Sequence, residues 1–305
     1  MRRSSLAARP APGAAFVTGG AGFAGHHLLA LLPDVVSPSR TELDLLDAGA
    51  VRSAVRDASP AVLFHLAALA SVRRSWEAPA KTLTSNVAMT ANLLDAARLE
   101  APEATIVVIG SGEVYGPPAS LPVDEGAPLR PQNPYAVSKA ACDLLAGQYA
   151  DAFGMRVVRM RPFNHAGPGQ SDDYVVGTLT RQIAEAEAAG RDEVLLRTGN
   201  PDSARDFTDV RDVVRAYVAA ASLDGGAFNV ASGSAVTVQE LVELVRAASR
   251  LPVRHEVDPS RLRAHDVPEV RGSATRLREA TGWQPEIPLE QTVADALQHW
   301  RERLG

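Results

Sequence analysis

Short apolar runs recur along the chain at residues 14–18, 35–38, 61–66, 105–110, 156–161 and 227–230. Between them, residues 22–32, 48–57, 86–99, 135–153 and 210–222 carry apolar positions at helical spacing. Runs this short predict strands, and the longer stretches predict helices. Strand–helix alternation of this kind predicts an α/β fold, a Rossmann-type doubly wound parallel sheet with right-handed crossovers. Ligands of such sheets bind beyond the carboxyl ends of the strands.

The alternation breaks after Phe163. Residues 164–206 read as loop-rich around a helix at 177–189, and helices at 238–249 and 290–304 follow. The pattern predicts a disordered tail at 1–13 and a dinucleotide-binding domain at 14–165 plus 206–234. A smaller, discontinuous carboxyl-terminal substrate-binding lobe takes 166–205 plus 235–305.

Composition narrows the partners. Of 305 residues, 46% are hydrophobic but only 5% aromatic, so the core must be Ala, Val and Leu, which suits helices packed closely on a parallel sheet. A net charge of −5 with mixed signs gives no footprint for nucleic acid. No apolar run reaches the ~20 residues that span a bilayer, so no membrane partner is expected. Arg2-Arg3 precedes no apolar stretch, which argues against a secretory signal and for a cytoplasmic protein. The single Cys142 excludes a disulfide framework and reads as a small core residue. Seven histidines without paired spacing predict no metal site, and His65 reads as the end of a strand.

Chemistry enters with Thr18-Gly-Gly-Ala-Gly-Phe-Ala-Gly25, placed between the first strand and the first helix. Its spacing is G-x-x-G-x-x-G, at Gly19, Gly22 and Gly25. Such glycines allow a tight turn, let backbone amides approach a pyrophosphate and permit close helix–strand contact. The second strand should end in an acid if it holds a ribose 2′-hydroxyl. Residues 35–40 offer Ser39 and Arg40 instead, a pair suited to a 2′-phosphate. NADP(H) is therefore expected, with NAD(H) the alternative if Arg40 is only a solvated side chain. Asp44 and Leu45 would reach the adenine edge.

Tyr135 and Lys139 stand one helical turn apart, downstream of Ser111-Gly112-Glu113. A phenol near pKa ~10 is a poor base at neutral pH, and a neighbouring ammonium should favour its phenolate. Ser111, at a strand's carboxyl end, would hold the same substrate oxygen.

These motifs, with His65-Leu-Ala-Ala68, Glu113-Val-Tyr-Gly116 and Arg161-Pro-Phe-Asn164, resemble the extended short-chain dehydrogenase/reductases that act on sugar nucleotides. The resemblance covers nearly the whole chain after Gly13. Residues 161–170 and 204–217 are most similar to two enzyme types, GDP-mannose 4,6-dehydratases and GDP-4-keto-6-deoxy-mannose reductases. Ser75-Trp76 and residues 258–268 lean toward the reductases.

The resemblance implies a catalytic set of Ser111, Tyr135 and Lys139, with Glu113 beside it. It implies cofactor contacts from Gly19, Gly22, Phe23, Ala24, Leu66, Ala67, Ala68, Tyr135 and Lys139, and a nicotinamide near Pro162, Asn164 and His165. A nucleotide-sugar substrate would meet Ser71 and Asn164, with Arg205, Arg263 and the weaker candidate Arg181 on its diphosphate. Apolar faces of the helices at 86–99 and 135–153 imply a homodimer.

The chain departs from its relatives at Leu69 and Ala70, where they carry polar residues, and at Arg73, where they carry glycine. Gly112 stands where the dehydratases have Ser or Asp. Fewer hydroxyl contacts to the sugar follow. Two enzyme readings remain. A 4-keto reductase needs Tyr135 as proton donor, whereas a 4,6-dehydratase also needs Glu113 to take a proton from C5. An epimerase is a further enzyme alternative, and a non-catalytic dinucleotide sensor would need none of the catalytic set.

Overall fold

The computed structural model describes residues 14–262 and 267–305. The expected tail at 1–13 and Arg263 lie outside the described residues.

Chain order begins β1 (Ala15–Thr18), α1 (Phe23–Leu29), β2 (Val35–Val36), α2 (Ala48–Ala58), β3 (Val62–His65), α3 (Val72–Glu77) and α4 (Pro79–Glu100). It continues β4 (Thr105–Ile109), a 3-10 turn (Gly112–Tyr115), α5 (Pro134–Phe153), β5 (Arg156–Pro162), β6 (Asn164–Ala166), α6 (Val175–Ala188) and β7 (Val194–Thr198). Then come β8 (Ala204–Asp209), α7 (Val210–Ala220), β9 (Gly226–Val230), β10 (Ala235–Thr237) and α8 (Val238–Ala248). The chain closes with β11 (Val253–Val257), β12 (Glu269–Val270), α9 (Thr275–Thr281) and α10 (Leu289–Leu304).

Six strands form one all-parallel sheet in the order β2-β1-β3-β4-β5-β9. The chain runs from β1 outward to β2, then returns to β3 on the other side of β1, so strand order reverses between β1 and β3. That reversal opens the crevice in which such sheets bind ligands. The central strands β1, β3 and β4 are largely apolar because both of their faces are covered. Along β1, β3, β4 and β5, Val17, Phe64, Val107 and Val158 pack into one core, with α7's Val213 and Tyr217. Their neighbours Phe16, Leu63, Ile106 and Val157 pack into the other, with Val51 and Val55 of α2 and Leu93 and Leu94 of α4. Burial of each such side chain is worth roughly 1.5–3 kcal/mol. Small residues, Ala96, Ala97 and Ala146 among them, let α4 and α5 pack closely on this sheet.

A third core gathers Leu179 and Ile183 of α6, Leu196 of β7, Leu241 and Val245 of α8, and Val293 and Leu297 of α10.

Several elements differ from expectation. The helix expected at 86–99 starts at Pro79, whose missing N–H costs nothing in a first turn. Residues 164–206 are not loop-rich. They hold β6 and β7 and the start of β8, and β7 pairs in parallel with the distant β11. Strands paired with partners this far along the chain leave only a short, half-buried period-two signal in their own sequence. β2 ends at Val36, so Ser39 and Arg40 lie in the loop beyond it.

Candidate active site

Gly19 has a positive φ of 78°, and a Cβ there would lie 2.7 Å from the Ala67 nitrogen. At Gly25 a Cβ would fall 2.1 Å from the Gly19 carbonyl oxygen. The loop can therefore take no side chain at either position. It closes on itself through Gly22 N–H donating to Gly19 O at 3.0 Å. α1 starts from Gly22 with no side-chain cap on its first amides. Beside the loop, Leu66 N–H donates to Thr18 O at 3.1 Å and Ala67 N–H to Thr18 Oγ1 at 3.4 Å. Leu66, Ala67 and Ala68 thus line the crevice between β1 and β3, beside the glycines.

Beyond β2, Ser39 N–H donates to Glu42 Oε2 at 2.7 Å, and its hydroxyl lies 3.0 Å from Thr41 Oγ1. Arg40 is exposed and makes no ion pair among the described residues. Asp44 is exposed as well. Leu45 differs from expectation: its side chain is in the core and its carbonyl accepts from Asn92 Nδ2 at 2.9 Å. Only Asp44 of that pair presents a side chain to the rim.

His65 ends β3 as expected, held between Thr18 Oγ1 at 2.8 Å and Thr90 Oγ1 at 3.1 Å. Burial, then the nearby Lys139, brings its pKa down to about 3, so it is a neutral ring. Cys142 is a buried thiol, donating to Asn86 O and accepting from Thr90.

β4 and the 3-10 turn deliver Ser111, whose Oγ accepts from Glu113 N–H at 3.2 Å. α5 carries Tyr135 next to it. Desolvation pushes the Tyr135 phenol up from its ordinary pKa, opposed by the neighbouring Ser111 hydroxyl. Lys139 is buried, and Nζ donates to Ile109 O at 2.6 Å. Burial holds its ammonium below the usual lysine value. Nζ faces β4, desolvation dominates at the phenol, and Tyr135 is held protonated.

Two residues that sequence reasoning passed over organise this set. Asn133 caps α5 by accepting from Ala136 N–H at 2.8 Å, and its Nδ2 donates to Glu113 Oε2 at 3.1 Å. Asn86 fixes the loop after β3, accepting from Leu69 N–H at 2.8 Å and donating to Leu69 O at 3.3 Å and Ser138 Oγ at 2.9 Å. The cue for Asn133 was an Asn before Pro at a helix start. Nothing local marked Asn86.

Arg161 of β5 is buried, with Nε at 2.9 Å and Nη2 at 2.8 Å from the two carboxylate oxygens of Asp143. Its Nη1 donates to Tyr115 Oη at 2.8 Å, which donates to Asn229 Oδ1 at 2.7 Å. Asp143 follows Lys139 by one turn, so the network locks the face of α5 that carries Tyr135 and Lys139. It also joins the Glu113–Gly116 and Arg161–Asn164 motifs.

After β5, Pro162 is buried while Asn164 and His165 are half-buried at the start of β6. The His165 ring stacks on Phe23 at 5.8 Å between centroids, and burial lowers its pKa. Ala24 packs half-buried behind them. Phe163 turns inward. A Cβ on Gly112 would lie 3.1 Å from its ring, and one on Gly272 2.5 Å. Gly112 lacks a side chain because Phe163 fills the space.

The substrate candidates divide. Ser71 caps α3, its Oγ accepting from Arg74 N–H at 3.3 Å. Arg205, on β8, donates to Ala204 O and Val267 O at 2.8 Å each. Arg181 is committed to the carboxylates of Asp172 and Glu185 and lies over the Trp300 ring, so a diphosphate would have to displace both acids. Among the described residues no group of three or more His, Cys, Asp or Glu side chains gathers as metal ligands, and no helix is long and apolar enough to cross a membrane.

A family model described as GDP-mannose 4,6 dehydratase matches residues 34–296. The chain belongs to that family. GDP-6-deoxy-D-mannose reductase of Pseudomonas aeruginosa is 39% identical to this member over 95% of the chain and 97% of the relative. UDP-glucose 4-epimerase of Mycolicibacterium smegmatis is 33% identical over 85% of the chain and 82% of the relative. The structure of RMD from Pseudomonas aeruginosa complexed with NADPH superposes with a TM-score of 0.84 at 36% identity, covering 95% of this chain and 99% of that one. GDP-mannose dehydratase-family membership makes the protein an NAD(P)-dependent extended short-chain dehydrogenase/reductase acting on sugar nucleotides.

Proposed function

We propose that the protein is an NADP(H)-dependent reductase of the 4-keto group of a GDP-4-keto-6-deoxy-hexose. The observation that carries the reading is that Ser111, at the carboxyl end of β4, and Tyr135, on α5, come together in a sheet whose reversal point carries the side-chain-excluding glycine loop. The similarity to a GDP-6-deoxy-D-mannose reductase supports the substrate, and the NADPH-bound neighbour supports the cofactor.

The residues present fit a dinucleotide. The glycine loop excludes side chains where a pyrophosphate would press, and α1 leaves its first amides uncapped. Ser39 and the unpaired, exposed Arg40 would take a 2′-phosphate, with Asp44 at the adenine, Leu66, Ala67 and Ala68 along the crevice, and Pro162, Asn164 and His165 near the nicotinamide. Bound NADPH supplies the hydride that reduces the ketone. Ser111 holds the substrate oxygen and Tyr135 gives it a proton as negative charge develops. Lys139 keeps Tyr135's helix face pinned to β4. Glu113, tied to Asn133, orients the turn or a sugar hydroxyl. Ser71, Asn164, Arg205 and Arg263 would bind the nucleotide sugar, in a cleft between the dinucleotide unit (14–165 plus 206–234) and the lobe (166–205 plus 235–305).

Purified protein supplied with GDP-4-keto-6-deoxy-mannose should oxidise NADPH. Formation of a 4-keto-6-deoxy product from GDP-mannose without added reductant would replace this reading by the dehydratase, for which the exposed Glu113 beside Ser111 is the favourable observation.

The same reading takes the protein as a cytoplasmic homodimer. Leu83 of α4 and Val137 and Leu144 of α5 are exposed, the last at 62%. Next to them an open, mostly apolar groove of 470 Å³ runs between Trp76 and Pro134. A second copy would cover this face.

A further inference from the structure

The loop after β3 and the segment leading into α6 face one another across the candidate site, and they are held very differently. The loop is rigid, because Asn86 takes both backbone groups of Leu69. The opposing segment touches it only at its edge. Asp173 accepts Arg73 Nη2 at 3.1 Å and Arg74 Nη2 at 3.2 Å, and Tyr174 Oη donates to Ala70 O at 3.5 Å.

Each of these contacts is weak. The arginine side chains are 68% and 67% exposed, and exposed ion pairs contribute little and are screened by salt. A hydrogen bond at 3.5 Å is at the limit of useful geometry. The Tyr174 hydroxyl therefore rests on a carbonyl that a ligand oxygen can replace. Tyr174 also adds to the rise of the Tyr135 phenol. Burial, then Asp173, raises the Tyr174 phenol itself, with Arg74 opposing. Leu69 and Ala70 offer no side-chain hydrogen bond on the facing wall, whereas Tyr174 presents a hydroxyl against Ala70.

We propose that Tyr174 contacts the sugar of the substrate, and that Asp173, clasped by Arg73 and Arg74, is the positioning residue that carries Tyr174 across the cleft. The proposal rests on the reading that this cleft takes a nucleotide sugar. Arg73, which stands where relatives have glycine, thereby gains a role: the chain replaces polar contacts on the β3 loop with a tyrosine delivered from the opposite side.

Steady-state kinetics on the full chain test it, with GDP-4-keto-6-deoxy-mannose and NADPH varied in turn. Y174F should raise KM for the sugar nucleotide about fivefold, the effect of one lost hydrogen bond, and leave KM for NADPH unchanged. D173N should raise the same KM two- to threefold at low salt, by analogy with an exposed ion pair, with kcat little altered. Between about 20 and 300 mM salt the wild-type KM should climb more steeply than that of D173N. Unchanged sugar-nucleotide KM in both variants, or parallel salt dependence, overturns the proposal. If the wild type does not oxidise NADPH, the reductase reading fails by itself. Calorimetric binding of GDP-mannose to NADP-saturated wild type and variants then decides, weaker binding by both variants supporting the clasp and equal binding overturning it. Wild type that binds no sugar nucleotide overturns both.

Discussion

In the proposed reductase, desolvation keeps the Tyr135 phenol protonated well above neutral pH, so it serves as the donor in the reductive direction. Y135F should lower kcat by about 10²-fold or more, the range of general acid–base catalysis, while NADPH binding measured by fluorescence titration stays intact. His65 sets a pH limit of the opposite kind. Its folded pKa, about 3, lies below the unfolded value of 6.5. Between those values the unfolded chain binds the proton and the folded chain does not. Stability is therefore complete above pH ~6.5 and falls progressively as pH drops toward 3, by about 2 kcal/mol between pH 7 and pH 5. Urea unfolding at the two pH values should show that loss, and H65N should flatten it. Ser111, Tyr135 and Lys139 were legible because motif spacing fixes which side chains share a site. The direction of Lys139 was not, since a four-residue spacing does not reveal that Nζ meets the Ile109 carbonyl.

α5 is the element on which the site is built. Asn133, Tyr135, Lys139 and Asp143 descend one side of it, capped at the top and anchored below by Arg161. Removing one partner of a buried ion pair leaves the other charge unpaired, at a cost of about 3–5 kcal/mol. D143N should therefore shift the urea midpoint sharply downward. N133A should cost about 1 kcal/mol for the lost cap and release Glu113, a change visible as lower kcat with little change in NADPH KM. The strands of the large sheet were readable because burial on both faces keeps its central members β1, β3 and β4 largely apolar. β7, β8, β11 and β12 were not, because each depends on a partner distant in sequence.

For the whole molecule, the exposed apolar positions on α4 and α5 make association the expected state. L144E should place a charge in the middle of that face and give a monomer in sedimentation velocity, while the wild type sediments as a dimer. The doubly wound sheet was foreseeable from alternation alone. The Arg73–Asp173 clasp, linking residues 100 positions apart, was not, and neither was the reason for Gly112. No local pattern records which side chain fills the space above a glycine.

Phe163 ties three stretches of chain together, with its ring over Gly112 on one side and Gly272 on the other. Volume at these positions is shared, so their evolutionary histories cannot be independent. A methyl group at 112 is tolerable only if the ring at 163 yields. G112A should therefore be harmful alone and milder on an F163L background, the signature of coupled sites in a double-mutant cycle. A lineage exploring new chemistry at the residue beside Glu113 therefore meets the Phe163 ring, and a prior substitution there eases that step.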